Sequence, residues 1–406
     1  MSVRTHKPIR IRMYRVGFGD CFLLSFPTEP KRHVLVDCGV HPAGDLKVMR
    51  DVIADIRAET EGRLALVVAT HAHKDHISGF GDFADQFRDF EAVDEVWLPW
   101  TEDQGDPAAN ALRKKQAALA TALLDTISAM AAHNDKPRVH AALAAAQNLT
   151  GNGEALALLR KGIKGGRVRY LHHGAVVDGQ GLVPGLSVKL LGPPKDPAFL
   201  KRMDPPKGDR LFRMEGDKLE AIEPVLPFGP EWVDQKGTSY PTDILPTKPD
   251  KKWMKELAAD PSALAFALEQ AINNTSLVTH FAFEGRHMLF AGDAQYGNWQ
   301  YWLDDPEAAD ILGSLNVLKV SHHGSHNATP RRVVQMMPEN VISLVSTQIS
   351  PWPSIPRQAI LDALAGRKSL IVRSDWLKSP NAPEELAPPE LPRNVTAGGL
   401  YYDVEV

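Results

Sequence analysis

The segment LALVVATHAHKDHISGF, residues Leu64 to Phe80, constrains this chain more than any other. Its first half is short and wholly apolar, as in a strand buried on both faces. That strand delivers the chain directly to His71, His73, Asp75 and His76. Imidazole is the commonest protein metal ligand, so three histidines and an aspartate within six positions point to a metal site. His71 and His73 are two apart at a strand end, so both side chains can face the same side. Asp75 and His76 follow as the chain turns, and can reach a second ion close by. A hydrolytic two-metal site needs ions about 3.5–4 Å apart and a carboxylate between them. Asp293, just after the apolar run MLF, is the candidate bridge. His322, directly after LNVLKVS, is the candidate last ligand, ahead of its neighbour His323. The lone histidines His6, His33, His41, His133, His140 and His287 read as surface or helix residues.

Around this segment, short strands and helices alternate in the first and last thirds, which argues a layered α/β architecture. IRIRMYRV, CFLLSF and HVLVDCG read as strands, and AGDLKVMRDVIADIRAE has helical spacing. Residues 106–162 are rich in Ala, Leu and Gln and read as two or more helices, split near His133–Pro137. From Pro193 to about Pro249 the chain is rich in Pro, Gly, Asp and Lys and has weak periodicity, as in a long irregular excursion. KKWMKELAAD and PSALAFALEQAIN are helical, and SLVTHFAF and HMLFAGD flank a hairpin signal at Glu284–Arg286. The expected organisation is one domain over residues 1–406, with a helical insertion at 101–165 and a Pro-rich insertion at 193–262.

Composition narrows the function classes. A net charge of −4 over 406 residues gives no broad basic surface for tight, non-specific nucleic-acid binding. Cys21 and Cys38 are the only cysteines, too few for a disulfide framework or a thiolate zinc site, and they fit a reducing compartment. No apolar run approaches the ~18 residues of a membrane span. The basic N-terminus lacks the apolar core of a signal peptide. The expected location is the cytoplasm, with no membrane contact.

The segments VGFGDCFLL, HVLVDCG, THAHKDHISGF, NNTSLVTHF, HMLFAGDA and LKVSHHGS, in this order, resemble the metallo-β-lactamase fold superfamily. More narrowly, GFGDCFLL and HHGS resemble the soluble hydrolase domain of ComEC-like competence proteins. The resemblance covers residues 8–100 and 165–375, apart from the proline-rich excursion. It implies an αββα sandwich, with metal ligands at strand ends along one edge. It implies two divalent metal ions, zinc ahead of manganese. His71 and His73 would hold the first; Asp75, His76 and His322 the second; Asp293 would bridge, and Asp37 would orient the signature loop by hydrogen bonds. The superfamily usually gives the first ion a third histidine. The matching place, near LLGPPKD, has none, which leaves His172, His173, Asp196 or water.

The implied chemistry is hydrolysis by a dinuclear metal-bound hydroxide, with Asp75 as the catalytic carboxylate. The expected substrate is a phosphodiester, such as short or single-stranded nucleic acid. Asn274, Ser276, His323 and His326 are candidates to bind it at the rim. One alternative is a metal hydrolase of a carbon ester, thioester or lactam. The other is a non-catalytic metal-binding interaction module. The helical insertion either covers the active-site edge or packs as a peripheral pair.

Overall fold

The computed structural model describes residues 7–42, 44, 46–133, 136–202, 212–215, 218–221, 261–325, 327–348, 352, 354–377 and 390–406. Its strands are β1 (Arg10–Tyr14), β2 (Cys21–Phe26), β3 (Arg32–Cys38), β4 (Arg63–Val68), β5 (Ala92–Pro99), β6 (Arg167–Leu171), β7 (Leu186–Gly192), β8 (Phe212–Glu215), β9 (Lys218–Ala221), β10 (Val278–Phe283), β11 (Arg286–Phe290), β12 (Val317–Lys319), β13 (Ile342–Val345), β14 (Leu370–Arg373), β15 (Val395–Ala397) and β16 (Tyr401–Glu405). Eight of them form one sheet in the order β15-β16-β1-β2-β3-β4-β5-β6, and six form a second in the order β14-β13-β12-β11-β10-β7. β8 and β9 pair with each other as an antiparallel hairpin inside the stretch expected to be irregular.

The layering follows from period-two alternation along the strands. Ile11, Phe22, Leu24, Val34, Val36, Leu66 and Val68 of the first sheet pack against Phe281, Met288, Phe290, Val317 and Leu344 of the second. Their neighbours point the other way. Leu23, Leu35, Leu64 and Val67 meet Met49, Val52, Ile53 and Ile56 of the helix Leu46–Glu59. Leu289, Leu318 and Val345 meet Trp299 and Trp302 of the helix Tyr296–Leu303, and Ile360 and Leu364 of the helix Gln358–Gly366. The result is the expected four-layer αββα sandwich. Each fully buried Leu or Phe of this kind stabilises the fold by about 1.5–3 kcal/mol.

Two sets of parallel strands run to the same edge. β3, β4, β5 and β6 are parallel neighbours in the first sheet, and β11, β12, β13 and β14 in the second. Ligands of open α/β sheets sit beyond the carboxyl ends of such strands. Asp37, His71, Asp293 and His322 all lie at or just past those ends.

The helical stretch forms the helices Pro107–Ala131, Pro137–Asn148 and Gly153–Lys161. Leu119, Leu123 and Ile127 of the first and Ala142 and Ala146 of the second share an apolar core with Ala265 and Leu268 of the helix Pro261–Asn273. KKWMKELAAD lies outside the described residues, as do His6 and His326. Two lone histidines expected at the surface or on helices are buried outside any helix instead. His33 packs inside β3 with Nδ1 2.9 Å from Ser25 Oγ, and His41 stacks edge-on to Trp352. Among the described residues no helix is long and apolar enough to cross a membrane.

Candidate metal centre

The loop after β4 is pressed into place by close backbone approach. A Cβ on Gly39 would stand 2.4 Å from both Asp75 C and His76 N, and one on Gly19 would stand 2.8 Å from Asp75 O. Only glycine leaves room for the loop there. Asp37, in a left-handed conformation at φ 56°, then fastens it. Its carboxylate accepts from Thr70 N and Thr70 Oγ1, each at 2.7 Å, and from His76 Nδ1 at 2.8 Å. Burial raises the Asp37 pKa, and His76 opposes that shift.

Three groups of side chains lie close enough to hold a metal ion: Asp75, His76, Asp293 and His323; His71, His73 and Asp75; and Asp20, Asp37 and His76. All are buried. In the first group His76 Nε2 is 3.2 Å from Asp293 Oδ2 and 3.9 Å from Asp75 Oδ2. His323 Nε2 is 3.4 Å from Asp75 Oδ2 and 3.5 Å from Asp293 Oδ2. In the second group His71 Nε2 and His73 Nδ1 stand 3.0 Å apart. The third group already contains a cation, because the ammonium of Lys319 contacts Asp20.

The far nitrogens of the rings show which atoms face inward. His71 Nδ1 lies 3.1 Å from Thr70 Oγ1, whose proton goes to Asp37, so the hydroxyl accepts and His71 Nε2 presents its lone pair. His76 Nδ1 donates to Asp37, and His323 Nδ1 donates to Ser346 O at 2.8 Å. Such outer partners fix the ring orientation of metal-ligating histidines.

The donor set fits divalent cations. His76 Nε2 is buried with no hydrogen-bond partner, and a stranded buried polar atom costs about 1–3 kcal/mol. Burial favours neutral Asp75 and Asp293, but His76 and His323 outweigh it and both carboxyls are held well below the ordinary range. Burial lowers His71 well below its ordinary value and His73 to about 4, so both rings are neutral. Burial also opposes charge on His76, but Asp293, Asp75 and Asp37 prevail and raise it well above its usual value. The centre thus gathers positive charge onto His76, where a divalent ion would supply it instead. Nitrogen and oxygen donors without thiolate suit zinc or manganese.

Several expected residues fall elsewhere. His322 is not in the four-residue group; its Nε2 lies 3.9 Å from Asp293 Oδ2 and 3.2 Å from Asn273 Nδ2. His322 and His323 are both left-handed, at φ 46° and 53°, and this backbone reversal sends the second ring, not the first, between Asp75 and Asp293. His323 was expected at the rim and is fully buried. Asn274 is also buried, not exposed to a substrate. Its Oδ1 accepts from Gln295 N at 3.0 Å, and its Nδ2 donates to Arg202 O at 2.7 Å. Ser276 Oγ lies beneath the site, 3.2 Å from His71 Nδ1 and accepting from Asp293 N at 3.1 Å. None of the three residues considered as a third ligand of the first ion joins a metal-holding group. His172 Nδ1 bonds His173 O, His173 Nδ1 lies 3.0 Å from Leu191 O, and Asp196 caps the short helix Pro197–Leu200.

Other residues enter the site unannounced. Lys319, 1% exposed, contacts Asp20 and reaches Asp293 Oδ1 at 3.3 Å. A lysine inside the apolar strand VLK was a readable signal for this. Asn148 and Glu269 come from the two helices that pack together outside the sandwich, and nothing local in sequence marks them. Phe18, Glu269, Gln270, Ser325, Trp352 and Ile355 complete the walls of a cavity of about 30 Å³ over His73, Asp75, Asp293 and His322. That is space for about one or two water molecules.

Residues 14–181 match the model of the metallo-beta-lactamase superfamily. The matched stretch contains the His71–His76 loop, and the two-sheet αββα sandwich is consistent with the metallo-β-lactamase fold. No curated protein matches the chain.

Proposed function

We propose that this protein is a metal-dependent hydrolase with two divalent ions, acting on phosphodiesters in the manner of the ComEC-like branch. The observation that carries the reading is the buried set of His71, His73, Asp75, His76, Asp293 and His323, whose donor atoms converge in two overlapping groups. Divalent ions held there would lower the pKa of water and stabilise negative charge on the attacked centre. His71 and His73 would hold one ion, and His76 and His323 the other. Asp75 belongs to both groups and would be shared between the ions, while Asp293 would join the second, fixed from behind by Lys319 and by its own backbone N–H on Ser276. Asp75 stands against His323 and is held by Asn148, so its carboxylate is aimed before substrate arrives. Phe18, Trp352 and Ile355 keep the cavity narrow and exclude bulk water, which strengthens every electrostatic contact inside.

The resemblance of GFGDCFLL and HHGS supports a phosphodiester. A net charge of −4 favours short substrates over a long strand tracked along a basic groove. One observation favours a carbon ester, thioester or lactam: among the described residues, no lysine or arginine lines the cavity. Metal content and a substrate panel test both readings. Elemental analysis is expected to return about two divalent ions per chain. A chromogenic phosphodiester and short oligonucleotides should turn over faster than a thioester or a lactam at saturating zinc and manganese. Activity confined to the carbon substrates would overturn the phosphodiester reading. Absence of transition metal after metal-replete preparation would overturn the hydrolase reading.

A further inference from the structure

The helix Lys74–Asp82 begins inside the loop that carries the histidines, with His73 at its N-cap. An N-cap side chain ordinarily accepts a backbone N–H from the first turn of its helix. His73 makes no such bond. The acceptor comes from elsewhere in the chain: Asn148 Oδ1 takes the N–H of Asp75, the second residue of the helix, at 3.1 Å. Asn148 ends the inserted helix Pro137–Asn148, and Asn152 stands just before the helix Gly153–Lys161. Asn152 Nδ2 donates to the carbonyl of Ala72, the residue between His71 and His73, and at 3.4 Å to the carbonyl of Asn148. Both partners are carbonyls, which only accept, so the orientation of this amide is settled. Asn148 and Asn152 are both buried, which shelters these bonds from water. The turn between them is pinned on either side. Ala142 and Ala146 sit in the core they share with Leu119 and Leu123, and Ala155 and Leu159 pack with Ile77 and Phe80 of the helix Lys74–Asp82. Gly151, left-handed at φ 75°, reverses the chain between the two anchors.

We propose that the turn Asn148–Asn152 positions the metal-binding loop: Asn152 holds the carbonyl of Ala72, Asn148 caps the helix at Asp75, and His73, bracketed between them, is relieved of capping and left free for a divalent ion. The inference rests on the reading of His71, His73 and Asp75 as a metal-holding group. A histidine at an N-cap has two competing uses, and the borrowed asparagine removes one of them. The loop is thereby shaped before any ion arrives, and the ion does not bear the cost of ordering it. The helical insertion is then part of the metal site rather than a peripheral pair, because two of its side chains set the backbone that carries the ligands.

The test is competitive titration of the full chain with Zn²⁺ against a chromophoric chelator, for wild type, Asn152→Ala and Asn152→Asp. Loss of an outer partner costs about 10–100-fold in metal affinity, and Asn152→Ala should lose that much. Asn152→Asp keeps the size of the side chain but has no N–H for Ala72. An added carboxylate would by itself attract a cation, so weaker binding in Asn152→Asp identifies the lost donor. Wild-type affinity in either variant would overturn the proposal. So would a lower denaturation midpoint with Zn²⁺ affinity unchanged, the mark of packing alone. A measurement on metal-free wild type guards against an unfolded variant. The Asp75 amide should be protected from hydrogen exchange to within about tenfold of the Leu149 amide, which bonds back into the end of the inserted helix, because loop and turn open as one unit. An unprotected Asp75 amide beside a protected Leu149 would sink the idea. A wild-type chain that binds no Zn²⁺ would overturn the metal-site reading beneath it, and the exchange measurement would still decide whether the turn holds the loop.

Discussion

Asn148 and Asp75 grip each other from both ends: Asn148 Nδ2 donates to Asp75 Oδ1 at 2.9 Å, and the backbone N–H of Asp75 donates to Asn148 Oδ1 at 3.1 Å. The last residue of an inserted helix therefore aims the signature aspartate. Asn148→Ala strands a buried N–H and a carboxylate oxygen. It should destabilise the metal-free protein by about 1–3 kcal/mol in urea titrations. Its turnover at saturating metal should fall as Asp75 loses its orientation.

Asp75→Asn is expected to lower hydrolysis by at least ~10²-fold, because the amide keeps the shape and loses the charge. Far-ultraviolet circular dichroism should be unchanged. Wild-type turnover in this variant would remove Asp75 from the mechanism.

Lys319 is enclosed with Asp20 and Asp293. Burial opposes its charge, but the two carboxylates outweigh burial and raise its pKa. Lys319→Met leaves both carboxylates buried without their cation. Removal of one partner from such a pair costs roughly 3–5 kcal/mol. A midpoint of chemical denaturation close to wild type would contradict that role.

Glu269 faces the same cavity, and burial, with Asp75 and Asp293 nearby, raises its carboxyl from 4.5 to about 8. The folded metal-free protein therefore keeps a proton that the unfolded chain releases near pH 4.5. Where the native state binds more protons, stability falls as pH rises. The loss should run from about pH 4.5 to about pH 8, and Glu269→Gln should flatten it. Melting curves of both metal-free proteins across that window check the sign.

Cys21 and Cys38 are free, buried and directly opposite each other across β2 and β3. Burial, with Cys38 alongside, raises the Cys21 thiol well above its ordinary value. Only the thiolate reacts readily. Iodoacetamide should label neither residue in the native protein at neutral pH, and both after denaturation, as read by mass spectrometry.

The sandwich was legible because its strands alternate or run wholly apolar and its helices carry a clear stripe. The signature loop was legible for the same reason: a strand end and a tight turn bring His71, His73, Asp75 and His76 together through local geometry. The choice between His322 and His323 depends on two consecutive left-handed residues, which no side-chain pattern announces. Asn274 reads as a polar loop residue, yet its side chain bonds the backbone at the start of the helix Tyr296–Leu303. Asn148 and Glu269 are distant in sequence from everything they touch in the site, and only the packing of three helices brings them there.

His76 sits in the first turn of the helix Lys74–Asp82 that follows a strand of the first sheet, and Asp293 and His323 lie just past strand ends in the second. Any ion that these residues share is a rivet through both halves of the sandwich. Prying the sheets apart would tear its coordination shell in two, so the unfolded chain has no equivalent place for it. Such a ligand at a hundred times its dissociation constant adds about 2.7 kcal/mol to the folded state. The cell's supply of free metal would then set how long this protein survives heat and proteases, as well as how fast it works.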